Sequence, residues 1–290
     1  LLTLGHRLRR NNRSGSRRNI HAHYDLGNDF YAAWLDETLT YSSALFIEPD
    51  LTLAEAQLAK IDAVLDRLRL RSGSRLLEIG CGWGSLAARA VDRHDAIVHA
   101  LTLSEEQARV AGARLTALDP GGRSRVSLTD YRDASGQFDA IASVEMVEAV
   151  GRDYWPGYLD QIAALLRPGG RAALQFIAIR DGLFGAYAAS RDFIQTFVFP
   201  GGCLLSESEF RALAEARGLR WHDAEHFGGD YAETLKIWRE RFDAAVAEGR
   251  LPPGFDDDFV RLWRYYLQYC EGGFRGGGIT VAQVTLVKAA

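Results

Sequence analysis

Little in this chain suits a disulfide framework, a metal centre or a membrane span. Its 290 residues include three cysteines, one methionine and seven prolines. Cys81, Cys203 and Cys270 are scattered, with no CxxC pair and no His/Cys cluster at metal-ligand spacing. That argues against a structural zinc site and fits a reduced, cytoplasmic protein with no bound metal. No apolar run approaches the roughly 18 residues of a transmembrane helix, and no signal-peptide pattern leads the chain. The net charge of −4 makes no electrostatic case for a nucleic-acid partner. With 47% hydrophobic residues, the chain is long enough for one large α/β domain with a sizeable core.

What is present is unevenly spread. Arg7, Arg9, Arg10, Arg13, Arg17 and Arg18 fall within residues 1–24, where no acid occurs. Such a stretch is either a solvated linker or an arm drawn to anionic lipid headgroups, each arginine near that surface contributing about 1 kcal/mol. The chain opens on Leu1 and its methionine is Met146, so a longer product with a preceding segment is expected. Residues 1–23 read as the arm and 24–290 as the catalytic domain. Aromatics gather from His23 to Ile47 and again across residues 178–204.

Between these stretches the pattern is regular. Apolar residues at Leu58, Ile61, Leu65 and Leu68 predict a helix over Leu53–Leu70. Short apolar strands are expected at Arg75–Ile79, Ala96–Leu101, Arg125–Leu128, Phe138–Val144 and Arg171–Ile177, separated by helices or turns. Pro168-Gly169-Gly170 is expected to stop the helix before the fifth strand. A helix at Ser206–Arg217, a strand near Arg220–His226, helices around Tyr231–Ala247 and Asp256–Cys270, and a final strand at Ile279–Val287 complete the pattern. Strands alternating with helices imply right-handed crossovers and a mostly parallel sheet of seven strands, covered on both faces.

Glu78-Ile79-Gly80-Cys81-Gly82-Trp83-Gly84 follows the first strand and opens a helix. Glycines there let backbone approach a ligand, and the helix start offers unpaired N–H groups. A dinucleotide site prefers GxGxxG. This turn reads ExGxGxG, with Glu78 placed to anchor the methionine end of S-adenosylmethionine. A dehydrogenase turn and a plain tight turn remain the alternatives. Thr102-Leu103-Ser104-Glu105-Glu106-Gln107 ends the second strand, where open α/β sheets bind ligands. Gln107 is placed to contact a ribose or methionine group, with Thr102 as a backbone or hydroxyl partner. In Asp130-Tyr131-Arg132-Asp133, after the third strand, Tyr131 is a candidate for an adenine face, with a solvated loop as the alternative.

Taken together, the chain resembles the cyclopropane fatty acid synthase family, which includes the mycolic acid cyclopropane synthases. The likeness runs from about Asn19 to the end. It rests on His23-Tyr24-Asp25-Leu26-Gly27-Asn28-Asp29-Phe30-Tyr31, Thr40-Tyr41-Ser42, the two ligand turns, Gly228-Gly229-Asp230-Tyr231 and the stretch Tyr265–Arg275. It implies a Rossmann-like class I S-adenosylmethionine-dependent methyltransferase, with a helical insertion forming a lipid pocket. It places cofactor contacts at Tyr41, Ser42, Gly80, Gly82, Thr102, Gln107, Tyr131 and Arg132; Glu78, Gly84 and Leu103 join them from the turns themselves. It also implies a bicarbonate ion as base, held by a Cys, a Glu, a His, an Ile and a Tyr. Glu148, Ile177 and Tyr231 match three of these, and Cys270 matches a cysteine proposed as catalytic. Ser43 stands in place of the Cys and Gln175 in place of the His. Glutamine cannot carry a proton charge near neutral pH, so the ion site is expected to be weakened, altered or absent.

The implied substrate is the cis double bond of an unsaturated phospholipid acyl chain. Methyl transfer to an alkene leaves a carbocation, which aromatic faces and a carboxylate stabilise. Trp34, Phe199, Tyr231 and Tyr266 are the candidate aromatic lining and Glu148 the candidate carboxylate. Ordinary core packing is the plainer reading for each aromatic, and a packed small hydrophobe is the plainer reading of Cys270. Loss of a proton from the new methyl closes a cyclopropane; loss from a neighbouring carbon leaves a methylene or methyl-branched alkene. The altered ion site raises the second route, and both a cyclopropane and a methyl-branched or methylene product stay open. The chain is expected to work peripherally at the inner membrane face, with homodimerisation left open. Two other readings stand beside this one: a small-molecule N- or O-methyltransferase, and a lipid- or cofactor-binding protein without catalysis.

Overall fold

The computed structural model describes residues 26–289. The basic arm and the His23-Tyr24-Asp25 start of the aromatic motif lie outside the described residues. The first helix, α1 (Asn28–Ala32), leads into a loop and then α2 (Leu53–Leu68). Thr52 caps α2 reciprocally with Glu55, and Arg69 ends it in the left-handed conformation. Its buried face carries Ile61, Val64, Leu65 and Leu68 at helical spacing, but also Gln57 and Lys60. Two polar side chains on a buried stripe require partners, and both find them in the site described below.

The strands are β1 (Arg75–Ile79), β2 (Ile97–Thr102), β3 (Arg125–Leu128), β4 (Phe138–Val144), β5 (Leu166–Ile179), β6 (Leu205–Ser206), β7 (Leu219–His226) and β8 (Ile279–Lys288). They form one sheet in the order β3-β2-β1-β4-β5-β8-β7, with β6 pairing to the end of β5. β1 to β6 run parallel with one another, and β8 lies antiparallel between β5 and β7. The seven expected strands are present. The eighth, two residues long, is too short to leave a period in the sequence. β5 also starts earlier than expected. Leu166 pairs with Phe138 before the Pro168-Gly169-Gly170 turn, and an irregularity between Phe138 and Ala140 absorbs the extra residues.

Each face of the sheet carries its own core. On one side α5 (Trp155–Leu165) and α8 (Glu207–Glu215) bring Trp155, Leu159, Ile162 and Phe210 against β4, β5 and β8. On the other, α2 packs with α3 (Ser85–His94) and α4 (Glu105–Leu118) through small residues such as Ala87, Ala90 and Ala111. The third cluster is aromatic and helical. It joins α1 and Trp34 to α9 (Gly228–Ala247) and α10 (Asp257–Arg275). The stretch between β5 and β6 forms α6 (Asp181–Ala189) and α7 (Phe193–Phe197), the expected helical insertion. Among the described residues no helix is long and apolar enough to cross a membrane, and no group of three His, Cys, Asp or Glu is placed to hold a metal ion.

Candidate active site

The glycine turn sits at the C-terminal end of β1. The N–H groups of Gly80 and Cys81 both donate to Leu101 O, at 3.0 and 2.9 Å, closing the turn on β2. Gly80 has φ +82°, and a Cβ there would lie 2.8 Å from Met146 Cγ. Gly84 caps α3 with φ +86°, and a Cβ there would meet Ala111 Cβ at 2.7 Å. Gly84 therefore fixes how closely α3 approaches α4 and lies behind the cavity, whereas Gly80 and Gly82 line it. Glu78 is buried and its Oε2 has no hydrogen-bond partner. Burial pushes its carboxyl up to about 8, against the pull of the Lys60 cation. An orphaned carboxylate oxygen beside a glycine turn and a helix N-terminus suits a ligand that brings its own cation.

The end of β2 supplies the second half. Ser104 caps α4 through Gln107 N, and Thr102 donates its hydroxyl to Gln107 Oε1 at 2.9 Å. That holds the Gln107 carbonyl end and leaves the amide nitrogen as the end that donates to a ligand. Leu103 and Tyr131 also line the cavity. Arg132 does not. Its guanidinium binds Asp130 through both oxygens and lies 5.6 Å from the Tyr131 ring centre. It lies beside Tyr131 and outside the cavity wall.

The loop before α2 closes the site from above. Lys60 Nζ donates to Ser42 Oγ at 2.6 Å, and Gln57 Nε2 donates to Ser42 O at 2.8 Å. The two polar residues on the buried face of α2 thus hold Ser42 in the cavity wall. Tyr41 meets Tyr266 of α10, hydroxyl to hydroxyl, at 2.8 Å. Arg114 of α4 donates to Thr38 O and Ser85 Oγ, at 2.9 and 2.7 Å, tying the loop to the glycine turn.

The expected ion site holds a residue that sequence reasoning missed. Glu145, just past β4, lines the cavity with both carboxylate oxygens engaged. Ser43 N–H and Gln175 Nε2 donate to Oε1 at 2.9 and 2.8 Å, and the Tyr231 hydroxyl donates to Oε2 at 2.6 Å. Ser43 and Gln175 are buried behind it and outside the cavity wall. The Ser43 hydroxyl turns away to Ala44 O. Glu148 also lines the cavity, where Oε1 accepts from Ile177 N and Oε2 has no partner. Burial, reinforced by the Glu145 charge, pushes Glu148 up to about 8. The missed signal was the second acid in Glu145-Met146-Val147-Glu148, three residues from the one singled out.

All of these walls belong to one cavity of about 820 Å³, which continues from the glycine turn between α7, α9 and α10. Tyr231, Tyr266 and Phe199 line it. Trp34 does not. It is fully buried in the aromatic cluster against Trp238 and Trp263, with ring centres 5.7 and 6.0 Å away, and is core. Cys270 lines the cavity, and burial pushes its thiol up to about 12. A thiol so hard to ionise is a poor nucleophile. Cys270→Ser is accordingly expected to keep near-native turnover with unchanged cofactor affinity, read by a steady-state methyl-transfer assay; a collapse of kcat would restore the thiol to the chemistry.

A sheet of this order, with a glycine turn after β1 and a polar ligand turn after β2, is the fold of the class I S-adenosylmethionine-dependent methyltransferases. The chain belongs to the mycolic acid cyclopropane synthetase family, whose profile matches residues 11–284. It is 45% identical over 284 residues to the tuberculostearic acid methyltransferase UfaA1 of Mycobacterium tuberculosis, across 95% of this chain and 66% of that protein. It is 37% identical over 268 residues to the cyclopropane-fatty-acyl-phospholipid synthase of Escherichia coli K12, across 92% of this chain and 66% of that protein. The chain thus spans just under two thirds of the length of these relatives. The solved structure of mycolic acid cyclopropane synthase CmaA1, complexed with SAH and CTAB, superposes with a TM-score of 0.84 at 34% identity, covering 94% of this chain and 98% of that one.

Proposed function

We propose that this chain transfers the methyl group of S-adenosylmethionine to a double bond in an unsaturated phospholipid acyl chain and releases a methyl-branched, unsaturated product. The observation that carries this reading is the continuity of the cavity, from the cofactor turn to aromatic walls on α7, α9 and α10. The cofactor, when bound, supplies an electrophilic methyl on a sulfonium. Glu78 and the α3 N-terminus would hold its methionine end, Gln107 its ribose, and Tyr131 its base. Lys60 fixes the Ser42 loop over that assembly. Tyr231, Tyr266 and Phe199 would exclude water and give aromatic walls to the stretch of cavity where positive charge develops on the acyl chain.

The exposed aromatic group at the far end supports a lipid substrate. Phe197 and Tyr265 are more than half exposed, and Phe193 lies 4.7 Å from Tyr265 and 5.7 Å from Tyr269, ring centre to ring centre. Tyr269 belongs both to this group and to the cavity wall. Amphipathic rings at a tunnel mouth suit peripheral contact with a bilayer surface. A branched product is favoured over a ring by Ser43 and Gln175, and by the higher identity to the tuberculostearic acid methyltransferase than to the cyclopropane synthase. A saturated product would need a reductant and is not assigned to this chain.

The deciding experiment incubates the protein with methyl-labelled S-adenosylmethionine and vesicles of unsaturated phospholipid. Label is expected in the acyl chain, and proton NMR of the released fatty acids separates a branched alkene from a ring of the same mass. Cyclopropane as the sole product would overturn the branching assignment. Label in a polar acceptor would overturn the lipid assignment, and absence of transfer would overturn catalysis.

A further inference from the structure

We propose that Glu145 is the catalytic base of this site, a carboxylate supplied by the chain itself where an anion would otherwise have to bind. The inference deepens the function proposed above and rests on it.

The geometry is that of an oxyanion receptor filled from within. Three donors from three distant parts of the chain converge on one carboxylate: the Ser43 N–H, the Gln175 amide and the Tyr231 hydroxyl. The polarity of this arrangement is fixed. Arg67 Nε donates to Gln283 Oε1 at 3.1 Å, Gln283 Nε2 donates to Gln175 Oε1 at 3.0 Å, and Gln175 Nε2 donates to Glu145 Oε1. A guanidinium has donors only, so neither amide can turn round without facing like against like. Gln175 must therefore donate, and Glu145 Oε1 must accept from two N–H groups. Burial raises the Glu145 carboxyl above the usual carboxylate range, while the Tyr231 hydroxyl, the Lys60 cation, the Ser43 N–H and the Gln175 amide all act to favour its ionised form. Glu148, three residues on, accepts only from backbone N–H groups, faces no cation and has an unpartnered oxygen. Of the two buried acids, Glu148 is the one pushed up to about 8 by burial, and Glu145, whose carboxylate is met by three donors, is the one placed to accept the proton.

The backbone gives a second, independent indication. Glu145 has φ +48°, in the left-handed region that glycine enters freely and a long side chain does not. A strained residue is retained where its side chain does something a relaxed one could not. Here the strain places a carboxylate in the same cavity wall as Tyr231 and Tyr266.

The step balances without any further reagent. The alkene π pair forms a carbon–carbon bond to the methyl carbon as its carbon–sulfur bond breaks, leaving the acyl chain cationic. A C–H bond beside the cation then breaks, its electron pair forms the new C=C bond, and the proton passes to Glu145. The proton returns to water when product leaves. Ser43 and Gln175 are positioning residues in this scheme.

The test pairs turnover with anion binding. In buffer stripped of carbon dioxide, the native protein is expected to methylate unsaturated vesicles at an unchanged rate. Glu145→Gln is expected to lose at least about 100-fold in kcat, with cofactor affinity and thermal midpoint preserved. Glu145→Gly relieves the backbone strain and empties the receptor. It is expected to fold well, to lose turnover similarly, and to regain part of it with added formate or bicarbonate. Independently of activity, 13C NMR should detect labelled bicarbonate bound to Glu145→Gly and none bound to the native protein. A native enzyme that slows when carbon dioxide is removed, or that binds the labelled ion, would overturn the proposal, as would a Glu145→Gln variant with native kcat. Absence of acyl methylation by the native protein would instead overturn the function. The bicarbonate comparison would then still decide whether Glu145 fills the anion site.

Discussion

Gly84→Val is expected to lose cofactor binding by at least about 100-fold and to cost about 3 kcal/mol of stability, the combined scale of a left-handed β-branched residue and an overpacked contact. A new Cβ would lie 2.7 Å from Ala111 Cβ and 2.9 Å from Ala111 Cα, the latter being backbone that cannot step aside. Ala111 lies one turn beyond Gln107 on α4. A wedge there separates the two helices whose N-terminal ends flank the proposed cofactor site. Thermal unfolding and titration calorimetry with S-adenosylmethionine check both parts. Ala111→Gly in the same chain should recover part of the loss by removing the opposing methyl. A valine variant that binds cofactor normally would mean that the spacing of the two helices does not set the site.

Glu78→Gln is expected to weaken cofactor binding by about tenfold to 100-fold, the range for a hydrogen bond to a charged group. It should also change the proton count of binding. In the free protein the Glu78 carboxyl is pushed up to about 8 by burial, so at pH 7 it holds its proton. A ligand that brings a cation favours the ionised form, so binding at pH 7 releases that proton. Affinity should therefore rise as pH climbs from 6 towards 8 and level off above it. Calorimetry in two buffers of different ionisation heat measures the release directly. The glutamine variant should release none, and an unchanged proton count would assign the titration to another group.

The sheet was legible because its strands are short apolar runs bounded by glycine turns and separated by helices that repeat at 3.6 residues. β1, β3 and β4 fall where the pattern put them. β5 did not, because Leu166 begins pairing on the far side of a Pro-Gly-Gly turn that reads as a break. The cofactor half of the site was legible for the same reason as the sheet: its residues follow strand ends in sequence. Gly84 and Arg132 lie one layer behind the residues they support, which residue identity does not reveal. The acidic half was harder. Glu145 and Glu148 are equivalent on paper, and the φ of +48° that separates them is a property of the backbone. Gln57 and Lys60 were visible as polar residues on an apolar stripe, and that is the signal that could have pointed to the Ser42 loop. Trp34 illustrates the converse: an aromatic-rich segment does not say which rings face a tunnel and which face one another.

The row of side chains running inward from Arg67 gives the molecule a handle far from its chemistry. Arg67 also pairs with Glu225 on β7, at 2.8 Å, where the acid is mostly exposed. Exchange of that arginine for an uncharged side chain would touch no atom of the pocket. It would leave Gln283 Oε1 without its donor, while Lys60 O still accepts from Gln283 Nε2 and so keeps both amides in their present sense. The innermost dipole is thus set from both ends, by a guanidinium at the rim of the sheet and by a backbone carbonyl of α2 within it.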